Sequence, residues 1–198
     1  MTMWTALIPL KAAGFRKSRL RSRLQSQTRE RLSEALARHV AEVLLACPGI
    51  GRVVLLGGHP LDPRLQWLPD HGRGLNAELA AAESRLGNTP LLILPADLPW
   101  LDVPDVDAML EAGSIGSAIA PDRHGVGTNG LALAAPRAFP FAFGQGSFDR
   151  HLGSAGPAMA IVRRVGLAFD IDTPHDLDVA LASGFSLPDS LPQRSDPA

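Results

Sequence analysis

One short segment constrains the fold of this chain more than any other: Leu91-Leu-Ile-Leu-Pro-Ala-Asp97-Leu-Pro99. The apolar residues 91–94 predict a short buried strand, and the two prolines fix the backbone on either side of Asp97. In open α/β sheets, ligands bind just beyond the carboxyl ends of the strands. Because a carboxylate there can hold a hard cation such as Mg²⁺ through its oxygens, Asp97 is the first candidate for a metal ligand.

Strand and helix patterns alternate along the chain, which predicts an α/β fold: a mainly parallel sheet with helices on both faces. The predicted strands cover residues 4–8, 52–56, 91–94, 117–120, 130–134 and 160–162, with a further short strand at 65–68 that ends at a proline. The predicted helices cover residues 28–46, 75–86, 104–111, 147–152 and 174–181. We expect a single domain over residues 1–183 and a loose Pro/Ser-rich tail over residues 184–198.

Composition narrows the class of protein. The chain has 198 residues, of which 45% are hydrophobic and 20% charged, and its net charge is −1. These values are typical of a globular domain and give no overall field towards nucleic acid or membrane, so we expect neither as a partner. Cys47 is the only cysteine, which indicates a reducing compartment, and the apolar stretch 4–8 is too short for a signal peptide. We expect a cytoplasmic protein and leave its oligomeric state open.

The loop after the first predicted strand is strongly basic. It contains Lys11, Lys17 and Arg19, and a cationic, Gly-containing loop at this position is suited to a phosphate chain. It is not a Walker loop, because that motif requires Gly immediately before the lysine, where this chain has Arg16. A solvated basic turn is the alternative interpretation.

A second Gly-rich segment, Gly72-Arg-Gly74-Leu-Asn76-Ala77, formally matches the G-x-G-x-x-A dinucleotide fingerprint. It lies in the middle of the chain after a short, proline-broken strand, which disfavours NAD binding. We expect a turn whose amides approach a base or a phosphate, with Asn76 as a hydrogen-bonding partner. A plain turn at the start of a helix is the alternative.

Two later segments offer donors to a small anion. Thr128 lies in a loop rich in Gly, Asn, Arg and His, and Ser147 follows Gly144-Gln-Gly146 at the predicted start of a helix. Amides at a helix N-terminus bind anions, although Ser147 as an ordinary N-cap is the alternative.

The segment Asp170-Ile-Asp172-Thr-Pro174 adds two carboxylates, which strand alternation would place on one face. Asp172 and Thr173 also form a cap sequence for a helix beginning at Pro174. We therefore expect Asp170 to be the carboxylate that meets Asp97 at a shared cation.

These segments together resemble one protein family, the guanylyltransferases of coenzyme F420 biosynthesis, which use 2-phospho-L-lactate or phosphoenolpyruvate. The matching segments come in the family's order and extend to about residue 181. They are Ile8-Pro-Leu-Lys11 with Lys17-Ser-Arg-Leu20, Gly74-Leu-Asn76, Pro95-Ala-Asp97-Leu-Pro99, Asp122-Arg-His-Gly with Gly127-Thr-Asn129, Phe143-Gly-Gln-Gly-Ser147 and Asp170-Ile-Asp-Thr-Pro174.

The resemblance implies a Rossmann-like nucleotidyltransferase fold, similar to GT-A proteins and molybdopterin guanylyltransferases. It implies transfer of GMP from GTP to a phosphorylated three-carbon acid, with release of pyrophosphate, and passage of the product to the next enzyme of the F420 pathway. Carried over by motif, Asp97 and Asp170 hold Mg²⁺ and act in catalysis. Thr128, Gly144 and Ser147 hold the acceptor acid.

The nucleotide is assigned to the two Gly-containing loops. By resemblance, the loop from Lys11 to Arg19 faces the triphosphate, and Lys17 with Arg19 or Lys11 offsets the charge of the leaving pyrophosphate. Gly74 and Asn76 are the further candidates for nucleotide contacts.

The acceptor is left open among phosphoenolpyruvate, 2-phospho-L-lactate and 3-phospho-D-glycerate. The Lys-poor, Arg/Ala/Pro-rich composition is typical of bacteria, whose family members commonly use phosphoenolpyruvate, and this favours that acid. Two other functions are also considered. One is a nucleotidyltransferase for a molybdopterin or a sugar phosphate, and the other is a GTP-binding regulatory module without turnover.

Overall fold

A computed structural model of the chain describes residues 3–11, 17–135, 138–155 and 158–187. Its strands are β1 (Trp4–Leu10), β2 (Ile50–Gly57), β3 (Gln66–Leu68), β4 (Leu91–Ile93), β5 (Ser117–Pro121), β6 (Thr128–Leu133) and β7 (Met159–Ile161). Its helices are α1 (Ser26–Ala46), α2 (Leu75–Leu86), α3 (Val103–Gly113), α4 (Ser147–Ala155), α5 (Val165–Ala168) and α6 (Pro174–Ala182). A short 3-10 helix covers Ser18–Ser22.

The seven strands form one mixed sheet in the order β3-β2-β1-β4-β6-β5-β7. Only β6 runs against its neighbours, because a short loop joins it to β5 as an antiparallel pair. The predicted mainly parallel sheet is therefore confirmed. Because β6 is reversed, its first residue, Thr128, lies at the edge where β1, β2 and β4 end.

Helices cover both faces of the sheet, as predicted. Consecutive residues of β4 alternate between two buried clusters, Leu92 towards α1 and α3, and Leu91 and Ile93 towards α2 and α4. Because both sides of the central strands are buried, their sequences are continuously apolar rather than alternating. A third cluster packs the 3-10 helix and α6 against α1, with Leu20 and Ile171 among its members.

Two predictions at the C-terminal part of the chain have different outcomes. The predicted strand face at Asp170–Asp172 is wrong, because this segment lies outside the sheet; among the described residues its backbone-to-backbone hydrogen bond is that from Ile171 N–H to Asp97 O at 3.2 Å. The helix cap is confirmed, since Thr173 and Asp176 form a capping box for α6. Residues 188–198 of the predicted tail lie outside the described residues.

Two short elements escaped the sequence analysis, the 3-10 helix and the four-residue α5. Neither is long enough to show a helical repeat of apolar residues. In the described part of the chain, no helix is long and apolar enough to cross a membrane.

Close packing at Gly166 generates a stability prediction. A Cβ atom there would lie 1.9 Å from Asp105 Oδ2 and 2.5 Å from the Trp100 carbonyl oxygen, so Gly166→Ala must displace a buried carboxylate. We expect the free energy of unfolding to fall by about 2 kcal/mol in urea titrations. The matched control is Gly153→Ala in α4, where nothing lies within 4 Å of the added atom. The control should gain about 0.5–1 kcal/mol from helix propensity; equal effects of the two changes would contradict the packing argument.

Candidate active site

A cavity at the carboxyl edge of the sheet has a volume of about 600 Å³. It opens beyond β1, β2 and β4, at the point where the chain, having added β2 and β3 on one side of β1, adds β4 on the other. Such a switch point leaves a crevice in an open α/β sheet. Most of its lining residues follow strand ends or precede α2: Pro9, Leu10, Lys11, Lys17, Leu56, Asp70, Gly72, Gly74, Leu75, Pro95, Ala96, Asp97 and Asp172. Ser33 and Glu78 complete the lining from α1 and α2.

Lys17 and Asp97 form an ion pair at the edge of this cavity. Lys17 Nζ lies 2.7 Å from Asp97 Oδ2 and also donates to the carbonyl oxygen of Ile171. The lysine side chain is only 7% exposed and the aspartate 26%. A cation this deeply buried requires a partner, so the pair ties the basic loop to the end of β4 and to the segment before α6.

Asp170 is the second carboxylate of this group. Its pKa is raised from 3.8 to about 6, first because the group is buried and second because the charge of Asp97 lies nearby. A hydrogen bond from Asn129 Nδ2 at 3.3 Å and the charge of Lys17 oppose this rise. The structure thus brings together the two predicted carboxylates, and their mutual repulsion is what a cation would relieve.

The donor set fits Mg²⁺ bound together with a phosphate. Among the described residues, no three His, Cys, Asp or Glu side chains are grouped so that they could hold a metal ion by themselves. Mg²⁺ usually takes one or two carboxylates from the protein and completes its octahedron with water and substrate phosphates. Asp97 and Asp170 supply that number of oxygen ligands.

Arg19 and Lys11 have different positions relative to the cavity. Lys11 lines it, whereas Arg19 is not a lining residue and pairs with Asp172, with side chains that are 68% and 40% exposed. Arg19 therefore connects the 3-10 helix to the start of α6.

The loop before α2 is held by one buried carboxylate. Glu78 Oε1 accepts the backbone N–H groups of His71 and Arg73 at 2.9 and 3.1 Å, and the Arg73 guanidinium pairs with Oε2 at 2.7 Å. Gly74, whose φ of +88° suits glycine, lines the cavity at the start of the helix.

Asn76 lies behind this loop and is not a lining residue. Its side-chain amide donates to the Phe143 carbonyl oxygen at 3.2 Å and accepts the Phe143 N–H at 2.8 Å. In this structure Asn76 joins α2 to the segment before α4, and its predicted nucleotide contact stays a prediction.

A β-bulge aims the side chains at the start of β6. Ala120 pairs with Gly130 but Pro121 pairs with Thr128, which leaves Asn129 as an extra residue. Bulges of this kind redirect side chains near functional sites. Asn129 donates to Asp170 and to the Ala168 carbonyl oxygen, while Thr128 contacts α4 on the other face.

Thr128, Ser147 and His151 form a buried polar cluster. Ser147 Oγ lies 3.1 Å from Thr128 Oγ1, which lies 3.1 Å from His151 Nδ1. His151 Nε2 accepts the Ala142 N–H at 2.9 Å. Burial first, and then the charge of Arg150, lowers the pKa of His151 to about 4, so the imidazole is neutral at physiological pH.

The sequence analysis missed His151. The sequence signal for His151 is its position four residues after Ser147, because this spacing places both side chains on one face of α4. Gly144 begins the turn into this helix with a φ of +118°, and its carbonyl oxygen accepts the Ser147 N–H at 3.0 Å.

Arg123, a donor in the predicted anion-binding loop, is committed elsewhere. Its guanidinium pairs with the buried Asp176 and lies 4.7 Å from the centre of the Phe169 ring. Arg123 therefore holds the loop against α6.

Solved structures described as nucleotidyltransferases and as a nucleotide-diphospho-sugar transferase share this fold. One of them, from Desulfovibrio desulfuricans G20 and provisionally described as a nucleotide-diphospho-sugar transferase, has a TM-score of 0.73 at 16% identity. The match covers 92% of this chain and 88% of that one. At this identity the likeness establishes the fold alone.

The chain belongs to the CofC-like guanylyl transferase family, whose model matches residues 4–185. A phosphoenolpyruvate guanylyltransferase of Sphaerobacter thermophilus is 40% identical over 186 residues, covering 87% of this chain and 90% of that protein. A protein of the same name from Rubrobacter xylanophilus is 38% identical over 193 residues, covering 90% and 94%. The predicted family is therefore confirmed.

The raised pKa of Asp170 generates a prediction for Asp170→Asn. A carboxyl group whose pKa is higher in the folded protein stabilises the fold fully below its ordinary value of 3.8, and this contribution is lost as the pH rises through about 6. Without nucleotide or metal, the wild type should lose about 2 kcal/mol of unfolding free energy between pH 4 and pH 7 that the variant keeps.

Chemical denaturation at several pH values measures this difference. The matched control, Asp172→Asn, removes a more exposed carboxylate two residues away and should retain most of the wild-type loss. Parallel pH profiles of Asp170→Asn and the wild type would show that the pKa of the Asp170 carboxyl group is not raised in the folded protein.

Proposed function

We propose that this chain transfers GMP from GTP to phosphoenolpyruvate and releases pyrophosphate. The observation that carries the proposal is the grouping of Asp170 with Asp97 and Lys17, the last two of which line a cavity of about 600 Å³. That volume is typical of small-molecule sites, and the charges suit a reaction between two anions. The names of the relatives support phosphoenolpyruvate over the other two acids.

The reaction joins the acceptor's phosphate oxygen to the α-phosphorus of GTP. The new P–O bond forms as the bond from that phosphorus to the β-phosphate oxygen breaks, and pyrophosphate leaves with the electron pair. Because the attacking oxygen is already anionic, no general base is required. The barrier is largely repulsion between anions, and fixed cations lower it.

Lys17 and Lys11 supply the positive charge on the triphosphate side in this proposal, and Arg19 is a further candidate. Lys17 is the best placed, because its ammonium group is already fixed beside Asp97. Asp97 and Asp170 are the residues that would hold Mg²⁺, which neutralises charge between the two reactants.

The acceptor acid is assigned to Thr128, Ser147 and the turn at Gly144. Thr128 precedes Asn129, which contacts Asp170, so the proposed acceptor subsite and the carboxylate pair are held by the same end of β6, on opposite faces of the sheet. Hydroxyl and amide donors at the N-terminus of α4 suit a small carboxylate or phosphate.

We assign the reaction to the cytoplasm and to coenzyme F420 biosynthesis, where the product would pass to the next enzyme of the pathway. The lone cysteine, Cys47, suits a reducing compartment.

An acceptor panel tests the proposal. Protein, GTP and Mg²⁺ are incubated with phosphoenolpyruvate, 2-phospho-L-lactate or 3-phospho-D-glycerate while pyrophosphate is measured. Phosphoenolpyruvate should give the highest kcat/KM, and Asp97→Asn should lower kcat by about 100- to 1000-fold because it removes charge from the reacting centre. Glu111→Gln, an exposed change on α3, should keep the wild-type rate. GTP binding without pyrophosphate release in any mixture would instead indicate a regulatory module.

Metal removal gives a separate prediction. Chelation by EDTA should abolish pyrophosphate release, and added Mg²⁺ should restore it. Asp97→Asn should need a higher Mg²⁺ concentration for half-maximal rate than the wild type, because one anionic ligand is lost. Full activity after exhaustive chelation would overturn the metal assignment while leaving the transfer reaction in place.

A further inference from the structure

A chain of hydrogen bonds links a backbone amide to the two hydroxyls of the proposed acceptor subsite. Ala142 N–H donates to His151 Nε2, His151 Nδ1 bonds to Thr128 Oγ1, and Ser147 Oγ donates to Thr128 Oγ1. His151 is fully buried, and Thr128 and Ser147 are nearly so. Within the described residues, neither hydroxyl has a further hydrogen-bond partner.

The backbone amide determines the tautomer of the imidazole. An N–H group can only donate, so His151 Nε2 must be the unprotonated nitrogen that accepts it. The ring proton of neutral His151 therefore lies on Nδ1, which donates to Thr128 Oγ1. The rings of Phe139 and Phe143, with centroids 5.8 and 4.8 Å from the imidazole, confine it in this orientation.

The tautomer in turn determines what the hydroxyl pair presents to a ligand. Thr128 and Ser147 have two hydroxyl protons, of which one is used in the bond between them. Since the imidazole donates to Thr128, the second proton is left over and can be donated to a bound group. With the opposite tautomer, the imidazole would take that proton, and the pair would present only lone pairs.

We propose that His151 is a positioning residue for the acceptor acid, because it keeps one hydroxyl proton of the Thr128–Ser147 pair available to the acid's carboxylate or phosphate. This inference rests on the proposed function and adds a residue that determines how the acceptor is bound. An anion is attracted by the available proton and would be repelled by lone pairs.

The β-bulge at Asn129 determines the direction of the Thr128 side chain. In a regular strand without the bulge, the side chain of Thr128 would lie on the same face as that of residue 130, towards Ala120 and Met109. The bulge turns it towards α4, where it meets Ser147 and His151. Asn129 meanwhile contacts Asp170, so the hydroxyl pair and the carboxylate pair are fixed by neighbouring residues of one strand.

Kinetics with both substrates varied test the inference. His151→Leu removes the donor, and we expect the KM for phosphoenolpyruvate to rise about 10- to 100-fold while the KM for GTP stays within about 2-fold. His151→Asn keeps an N–H near the Nδ1 position and should recover most of the lost affinity. Phe148→Leu changes buried packing on the same helix at a side chain outside the hydrogen-bonded chain, and should leave the KM for phosphoenolpyruvate within about 2-fold of the wild-type value.

A double-mutant cycle separates this role from simple packing. If His151 acts through the Thr128 hydroxyl, then His151→Leu should change the KM for phosphoenolpyruvate little once Thr128→Val is present. Additive increases in the cycle, or an unchanged KM in His151→Leu, would overturn the inference. Absence of turnover in the wild type with every acid would instead overturn the proposed function.

Nitrogen NMR of the wild-type imidazoles gives a readout that is independent of turnover and of whether the variants fold. The signals of His151, assigned by their loss in His151→Asn or by backbone connectivity, should show Nδ1 protonated and Nε2 unprotonated at pH 7. A protonated Nε2 would overturn the inference even in an active enzyme.

Discussion

The ammonium group of Lys17 is the contact on which the architecture of the site depends. It reaches the carboxylate at the end of β4 and the Ile171 carbonyl oxygen, so one cation joins three segments that are distant in the sequence. An unpaired lysine at this depth would be costly, and two carboxylates without it would repel each other more strongly. The lysine and the two carboxylates are thus buried together, and their opposite charges lower the free-energy cost of burying each group.

The reversed strand β6 contributes its first residues to the site. In a wholly parallel sheet, the start of this strand would lie at the opposite edge, remote from Asp97. Reversal brings Thr128 and Asn129 to the edge where β4 ends, and the bulge then turns Thr128 towards α4 and Asn129 towards Asp170. One strand start therefore serves both the carboxylate pair and the hydroxyl pair.

Much of this could be predicted from local sequence, because buried strands and capped helices leave clear signals. The stretch at 91–94, the helix over 75–86 and the cap at Thr173 are of this kind. Contacts between distant segments leave no such signal. Asp170–Asp172 alternates like a strand, yet no strand partner reaches it, and the spacing of Ser147 and His151 acquires meaning only once Thr128 is seen beside them.

Asn76 has a consequence for how substrate preference can change. Its paired hydrogen bonds to Phe143 join the helix that borders the cavity to the turn that carries Gly144, in the manner of one residue pair of a β-ladder. The two halves of the site are clamped into a fixed mutual position. If the turn holds the acceptor acid as proposed, a preference for a different small acid can evolve by exchanging side chains within the turn, without moving the elements that line the cavity.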